Sequence, residues 1–303
     1  MKLDVTIGGI RFRNPLLLAS GILGDNPALL RRVYESSAGG LVTKSITKEK
    51  REGYRTPIVV GVKCGFINAV GLANPGIEGI RDLVKAAKEI RAPIIVSIAG
   101  STIEEFVEIA EEAKKYGADG VELNFSCPHA EKRGLELSDD IELVEDIIKS
   151  VKELGIVTIP KFGIKDNLSE LIKVAEDSKA DAVTLINTIK AMKIDVWTKR
   201  PVLSNVFGGL SGPAIHPIAV RVVYEAYEIT KLPIIGVGGV VDWESAVEMF
   251  LAGATAVQIG SAIALKGLKV FKEIIDGIRY YLSEQGFNDI KEIIGLAHKQ
   301  VES

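Results

Sequence analysis

Short apolar, β-branched runs recur along the chain, and each is followed by a longer stretch of charged residues at helical spacing. Eight runs stand out, at 16–20, 40–44, 93–98, 120–124, 159–162, 182–187, 233–238 and 256–260. Continuous apolar runs of this length fit parallel strands buried on both faces. Between them the period changes. Over 103–116, Ile103, Phe106, Val107, Ala110 and Ala113 fall on one helical face, with Glu104, Glu105, Glu108, Glu111 and Lys115 around the other. Gly117 supplies the stop. Similar small-residue punctuation precedes other strands, as in Ala38-Gly39-Gly40, Gly117-Ala118-Asp119-Gly120, Lys179-Ala180-Asp181-Ala182 and Gly253-Ala254-Thr255-Ala256. One βα unit is being reused.

Eight such units predict an α/β fold, a (β/α)8 or TIM barrel formed by a single domain over 1–303, with an open doubly wound sheet as the competing arrangement. An N-terminal β-hairpin is expected from Val5 to Phe12, turning at Gly8-Gly9 and placed to plug the barrel bottom. Two connections are too long for simple βα loops. One runs from Ser45 to about Glu78 and the other from Thr188 to about Pro217, so long insertions follow strands 2 and 6. Both leave C-terminal strand ends, the catalytic face of such a barrel.

The 303 residues suit one barrel with insertions, which usually needs about 250. Hydrophobic residues make up 47% and charged ones 25%, as in ordinary globular proteins. A formal charge of -3 leaves no basic stripe for a nucleic-acid backbone, and the basic residues of Lys48-Glu49-Lys50-Arg51-Glu52 are interleaved with acids as on a solvated surface. Two cysteines, Cys64 and Cys127, cannot build a disulfide framework or a usual structural zinc site, and they suit a reducing cytoplasm. No apolar run approaches the roughly 18 residues of a membrane span, and the N-terminus has no signal-peptide core.

Ser20, Lys44, Asn124, Lys161 and Asn187 each stand near the C-terminal end of a different predicted strand, so closure brings them to one mouth. A lone lysine there reads equally well as a solvated rim residue; two lysines and two asparagines at four strand ends point to an anionic ligand or the electron-rich end of a flavin. The last two strands end in Gly238-Gly239 and Gly260-Ser261, where such barrels commonly bind phosphate; ordinary tight turns are the alternative. Cys127 follows strand 4 in Asn124-Phe125-Ser126-Cys127-Pro128-His129. It is either a small buried hydrophobe or, given its place at the mouth, a thiol tunable to act as a base near neutrality. Cys64 has no such positional argument. His216 and His298 have no companions in sequence and fit surface or helix-end roles, and no grouping has metal-ligand spacing. Asp139 and Asp140 read as a capped helix start.

At these residues the chain resembles the dihydroorotate dehydrogenases, specifically the class 1 enzymes. The resemblance runs through Asn14-Pro15, Ala19-Ser20-Gly21, Thr43-Lys44-Ser45, the stretch from Asn68 to Gly76, Glu122 to Pro128, Ile186-Asn187-Thr188, Gly208 to Ile215 and Gly236 to Val240. It implies an FMN-binding barrel. FMN would be held by Ser20, Lys44, Ser45, Asn124, Lys161, Ile186, Gly212, Gly238, Gly239, Gly260 and Ser261. Substrate would meet Lys44, Asn68, Ala69, Val70, Gly71, Leu72, Asn124, Asn187 and Thr188. Cys127 matches the family's catalytic base, where class 2 membrane enzymes carry serine. The implied reaction oxidises dihydroorotate to orotate in pyrimidine biosynthesis.

The stretch from Asp195 to Pro201 after Ile186-Asn187-Thr188 resembles class 1B, the NAD-linked branch. That branch implies a homodimeric core partnered by a subunit carrying FAD and an iron–sulfur cluster, which two cysteines cannot bind here. Two positions depart from the pattern. His129 stands where many relatives have asparagine, and Cys-Pro-His also occurs in dihydropyrimidine dehydrogenases, which keeps uracil or thymine as alternative substrates. Ser97 stands where class 1B relatives often have an FMN-contacting asparagine. A phosphate-binding barrel without redox chemistry is the remaining alternative.

Overall fold

The computed structural model describes residues 1–126 and 136–299. The chain opens with an antiparallel hairpin, β1 (Val5–Ile7) and β2 (Ile10–Phe12). Gly8 and Gly9 turn it at φ values of 57° and 86°, which glycine adopts without a Cβ penalty. Next come β3 (Leu16–Leu18), α1 (Pro27–Glu35), β4 (Leu41–Val42), and the short strands β5 (Val59–Val62) and β6 (Gly65–Asn68). Helix and strand then alternate through α2 (Ile80–Glu89), β7 (Ile94–Ile98), α3 (Ile103–Lys115), β8 (Gly120–Asn124), α4 (Ile141–Glu153), β9 (Val157–Phe162), α5 (Leu168–Asp177) and β10 (Val183–Leu185). Four short strands follow: β11 (Ile189–Met192), β12 (Ile194–Asp195), β13 (Arg200–Pro201) and β14 (Phe207–Ser211). After them come α6 (His216–Ile229), β15 (Ile234–Val237), α7 (Trp243–Ala252), β16 (Ala254–Ile259), α8 (Ala262–Lys266), α9 (Val270–Glu284) and α10 (Leu296–Lys299).

Eight strands form one parallel sheet in the order β3-β16-β15-β10-β9-β8-β7-β4. Its ends meet: Gly39 N donates to Leu16 O at 2.6 Å and Leu18 N to Gly40 O at 3.0 Å. The sheet is therefore a TIM barrel, and all eight expected strands are present. Every residue of β7 and β8 is buried, as strands covered on both faces require. In α3, Thr102 Oγ1 accepts from Glu105 N at the N-terminus, and Phe106, Ile109, Ala110 and Ala113 face the core. Asp140 caps α4 through Leu143 N, as its sequence suggested. The β1–β2 hairpin closes the bottom. Its Gly8 lies against Val157, the first residue of β9, and its Ile10 against Gly120, the first of β8.

The two insertions do not remain separate loops. β6 pairs antiparallel with β14, Asn68 opposite Gly209, giving a four-stranded sheet in the order β11-β14-β6-β5. Ile67, Ala69 and Leu203 make a small core of their own within it. This sheet roofs the C-terminal ends of the barrel strands. A further pair, β12 and β13, projects from it. Among the described residues, no helix is long and apolar enough to cross a membrane.

Candidate active site

A charged cluster fills the upper barrel. Glu122 of β8, Lys161 of β9, Thr184 of β10 and Gln258 of β16 are all buried. Lys161 Nζ donates to Gln258 Oε1 at 2.9 Å, Ser20 Oγ at 3.0 Å and Glu122 Oε1 at 3.3 Å. Glu122 Oε2 accepts from Gln258 Nε2 at 2.5 Å and Thr184 Oγ1 at 3.2 Å. Buried charges persist where they are paired and the remaining hydrogen-bonding positions are filled, and both conditions hold here. Ser20, half-buried after β3, is the cluster's member at the mouth.

A second network crosses the mouth. Asn187 Nδ2 donates to Asn124 Oδ1 and Asn124 Nδ2 to Ser45 Oγ, each at 3.1 Å; Ser45 Oγ lies 3.0 Å from Ser97 Oγ. Ser97 N in turn donates to Thr43 Oγ1. Ser97 is thus fully buried and holds Ser45 in place. Each asparagine amide retains a second N–H beyond these bonds, suited to donate to an acceptor oxygen of a ligand. Lys44 Nζ rests on Asp25 Oδ2 at 3.0 Å, so an incoming carboxylate would share the ammonium with Asp25.

Glycine loops gather on the other side of the mouth. Gly212, Gly238 and Gly239 have φ values of 102°, 141° and 67°. A Cβ on Gly239 would stand 2.6 Å from Gly212 O, and one on Gly238 2.5 Å from Ala219 Cβ. The loops nest so closely that only glycine fits. His216 fixes this arrangement from below: Nδ1 meets Gly238 O and Nε2 meets Glu248 Oε2, both at 2.8 Å. His216 is therefore at a helix end, as expected, but buried. His298, also at a helix end, stacks on Tyr224 at 3.7 Å. Ile186 is buried beside this loop and donates its N–H to Val237 O. Gly260 and Ser261 lead into α8, where the Ser261 side chain makes no capping bond.

The roof residues reach the mouth through Gly209. Asn68 Nδ2 donates to Gly209 O at 3.2 Å, and a Cβ on Gly209 would overlap Thr188 Oγ1. Thr188 N donates to Asn187 Oδ1 at 2.8 Å, so Thr188 joins the asparagine network and Asn68 approaches it through Gly209. Val70 O is taken by Tyr54 N and Leu72 O by Asn74 Nδ2. Gly71, at φ 75°, packs against Tyr54. The Ala69 side chain is buried in the roof's own core, and its N–H donates to Ile58 O at 2.7 Å. Cys127 and His129 lie outside the described residues. Cys64 is exposed in the β5–β6 turn. Among the described residues no group of three or more His, Cys, Asp or Glu could hold a metal.

Sequence reading passed over Glu122, Thr184 and Gln258. Their signal was a polar residue interrupting an apolar run, as in Val121-Glu122-Leu123 and Val257-Gln258-Ile259.

Comparison with known proteins follows the same lines. The family model described as dihydroorotate dehydrogenase matches residues 2–282. The chain is 50% identical over 304 residues to the dihydroorotate dehydrogenase B (NAD(+)) catalytic subunit of Pyrococcus furiosus, covering 99% of this chain and 100% of that one. The subunit of the same name from Pyrococcus abyssi is 47% identical over 300 residues, with 98% and 99% covered. That from Thermoplasma acidophilum is 45% identical over 297 residues, with 97% and 98% covered.

Proposed function

Since the chain belongs to the dihydroorotate dehydrogenase family, we propose that it is a class 1B catalytic subunit that oxidises dihydroorotate to orotate, with FMN as its cofactor. The observation that carries this reading is near-full-length identity to subunits of that name, over a barrel whose mouth gathers the matching polar residues. The glycine loops of Gly212, Gly238 and Gly239 pack on one another beside Gly260, where an added Cβ would meet only Ala19 Cβ, and this corner, with Ser261 opening α8, suits a phosphate group. Ser20, Lys44, Ser45, Asn124, Lys161 and Ile186 would hold the rest of the cofactor. FMN, when bound, supplies a two-electron acceptor.

The chain's own residues orient the substrate and move a proton. Asn124 and Asn187 present amide N–H groups to the pyrimidine dione edge, with Asn68 and Thr188 from the roof. Lys44, beside Asp25, meets the substrate carboxylate. Cys127 would take the proton from C5, and FMN, when bound, would supply the acceptor for the hydride lost from C6, so that the C5–C6 bond becomes double. Electrons then pass to a partner subunit, in line with the name "catalytic subunit" borne by the relatives. Such a partner would carry FAD and an iron–sulfur cluster.

Anaerobic mixing of the purified, FMN-loaded protein with dihydroorotate should bleach the flavin absorbance. Bleaching by uracil-type substrates alone would point to a different reaction. Cys127→Ala should keep FMN bound yet slow bleaching by roughly 10²-fold or more at neutral pH. An unchanged rate would remove Cys127 from the mechanism.

A further inference from the structure

The reading above gives Lys161 to the cofactor and leaves two of its buried partners without a task. We infer that Glu122, supported by Gln258, is a positioning residue that sets how much of the Lys161 charge the flavin experiences, and thereby the flavin's reduction potential. The inference rests on the FMN reading.

An ammonium group has three N–H donors, and Lys161 spends them on Glu122, Gln258 and Ser20. Glu122 and Gln258 are each 1% exposed, inside the barrel. Ser20 is half-buried at the mouth. A ligand atom arriving from the mouth can displace only Ser20 Oγ; the other two bonds hold Nζ from beneath. Their orientation is fixed in turn. Gln258 Nε2 donates to Glu122 Oε2, so its amide cannot flip without facing two donors toward each other. Thr184 Oγ1 donates to the same carboxylate. Each partner of Glu122 among these is a donor, which is the setting of an anionic acceptor.

The electrostatic consequence has a definite sign. A bare buried lysine favours a cofactor that gains negative charge on reduction and so raises its potential. A carboxylate 3.3 Å from Nζ offsets that field. Glu122 therefore keeps the flavin a weaker oxidant than Lys161 alone would make it, which eases onward electron transfer. A purely structural role for the pair would change stability and leave the potential where it was.

The test is the midpoint potential of the FMN-loaded holoprotein, measured anaerobically against reference dyes. Glu122→Gln should raise it by the equivalent of about tenfold in the reduced-to-oxidised ratio, roughly 30 mV for two electrons. Glu122→Met, which removes the carboxylate at similar volume, should raise it as well. The double exchange, Glu122→Gln with Gln258→Glu, should bring it back toward the parent value. If one single variant fails to fold, the other decides. A folded, flavin-loaded single variant with the parent potential overturns the inference while dihydroorotate still bleaches the parent. A parent protein that takes up no flavin overturns the FMN reading and this inference together.

Discussion

An added methyl at Gly239 would stand 2.6 Å from Gly212 O and 2.7 Å from His216 Cβ, on a backbone already at φ 67°. At Gly260 the same methyl would make only an ordinary 3.4 Å contact with Ala19 Cβ. The protein itself demands glycine at the first position and not at the second. Gly239→Ala should therefore destabilise the fold by at least roughly 1–2 kcal/mol in denaturant melts. Gly260→Ala should melt like the parent and yet weaken FMN binding, read by flavin fluorescence quenching. Parent-like affinity in Gly260→Ala would move the phosphate away from that loop. The glycine ends could be read along the chain because each is a local signal. Glu122 and Gln258 could not, since they stand 136 positions apart and each is a single polar residue in a buried run. Only barrel closure gives them partners.

Helix α7 shows how an element terminus can secure the site. Its N-cap, Asp242, ends the segment that starts with Gly238-Gly239. Ser245 N and Oγ donate to Asp242 Oδ1 at 3.0 and 2.6 Å, and Val241 N donates back to Ser245 Oγ. Burial raises the Asp242 pKa, but the Ser245 side-chain and backbone hydrogen bonds outweigh it, helped by Lys266 and His216, and hold the carboxyl below its usual range. A folded value below the unfolded one stabilises above the ordinary carboxylate pKa of about 3.9 and is lost as pH falls through the folded value. Asp242→Ala should therefore cost about 1 kcal/mol near neutrality. That gap should narrow in acid, as paired urea melts at the two pH values would show; an equal gap at both would deny the carboxylate its role. At this scale the barrel strands were legible because each is one contiguous apolar run. Strands β5, β6, β11 and β14 were not, because their half-exposed residues carry no such run and the partner of β6 lies beyond four barrel strands.

Across the whole molecule the two tryptophans report on opposite surroundings. Trp197 is 90% exposed at the β12–β13 turn, where its N–H and that of Thr198 hold Asp195. Trp243 packs against Tyr280, Tyr281 and Gly277. Trp243→Phe should leave emission readily quenched by acrylamide, and Trp197→Phe emission that is blue-shifted and shielded. Equal quenching of the two variants would contradict this surface. The pairing of β6 with β14 has a consequence for how the chain reaches this state. Asn68 and Gly209 are separated by 141 positions, and β7, α3, β8, α4, β9, α5 and β10 all lie between them. Joining two points so far apart in an unordered chain carries a large loop-closure entropy, which drops once the intervening strands are aligned. Loop-closure entropy therefore predicts that the roof forms after the cylinder beneath it. The same ordering predicts that Asn68 and Thr188, which the roof brings together, meet only in molecules whose barrel is already complete.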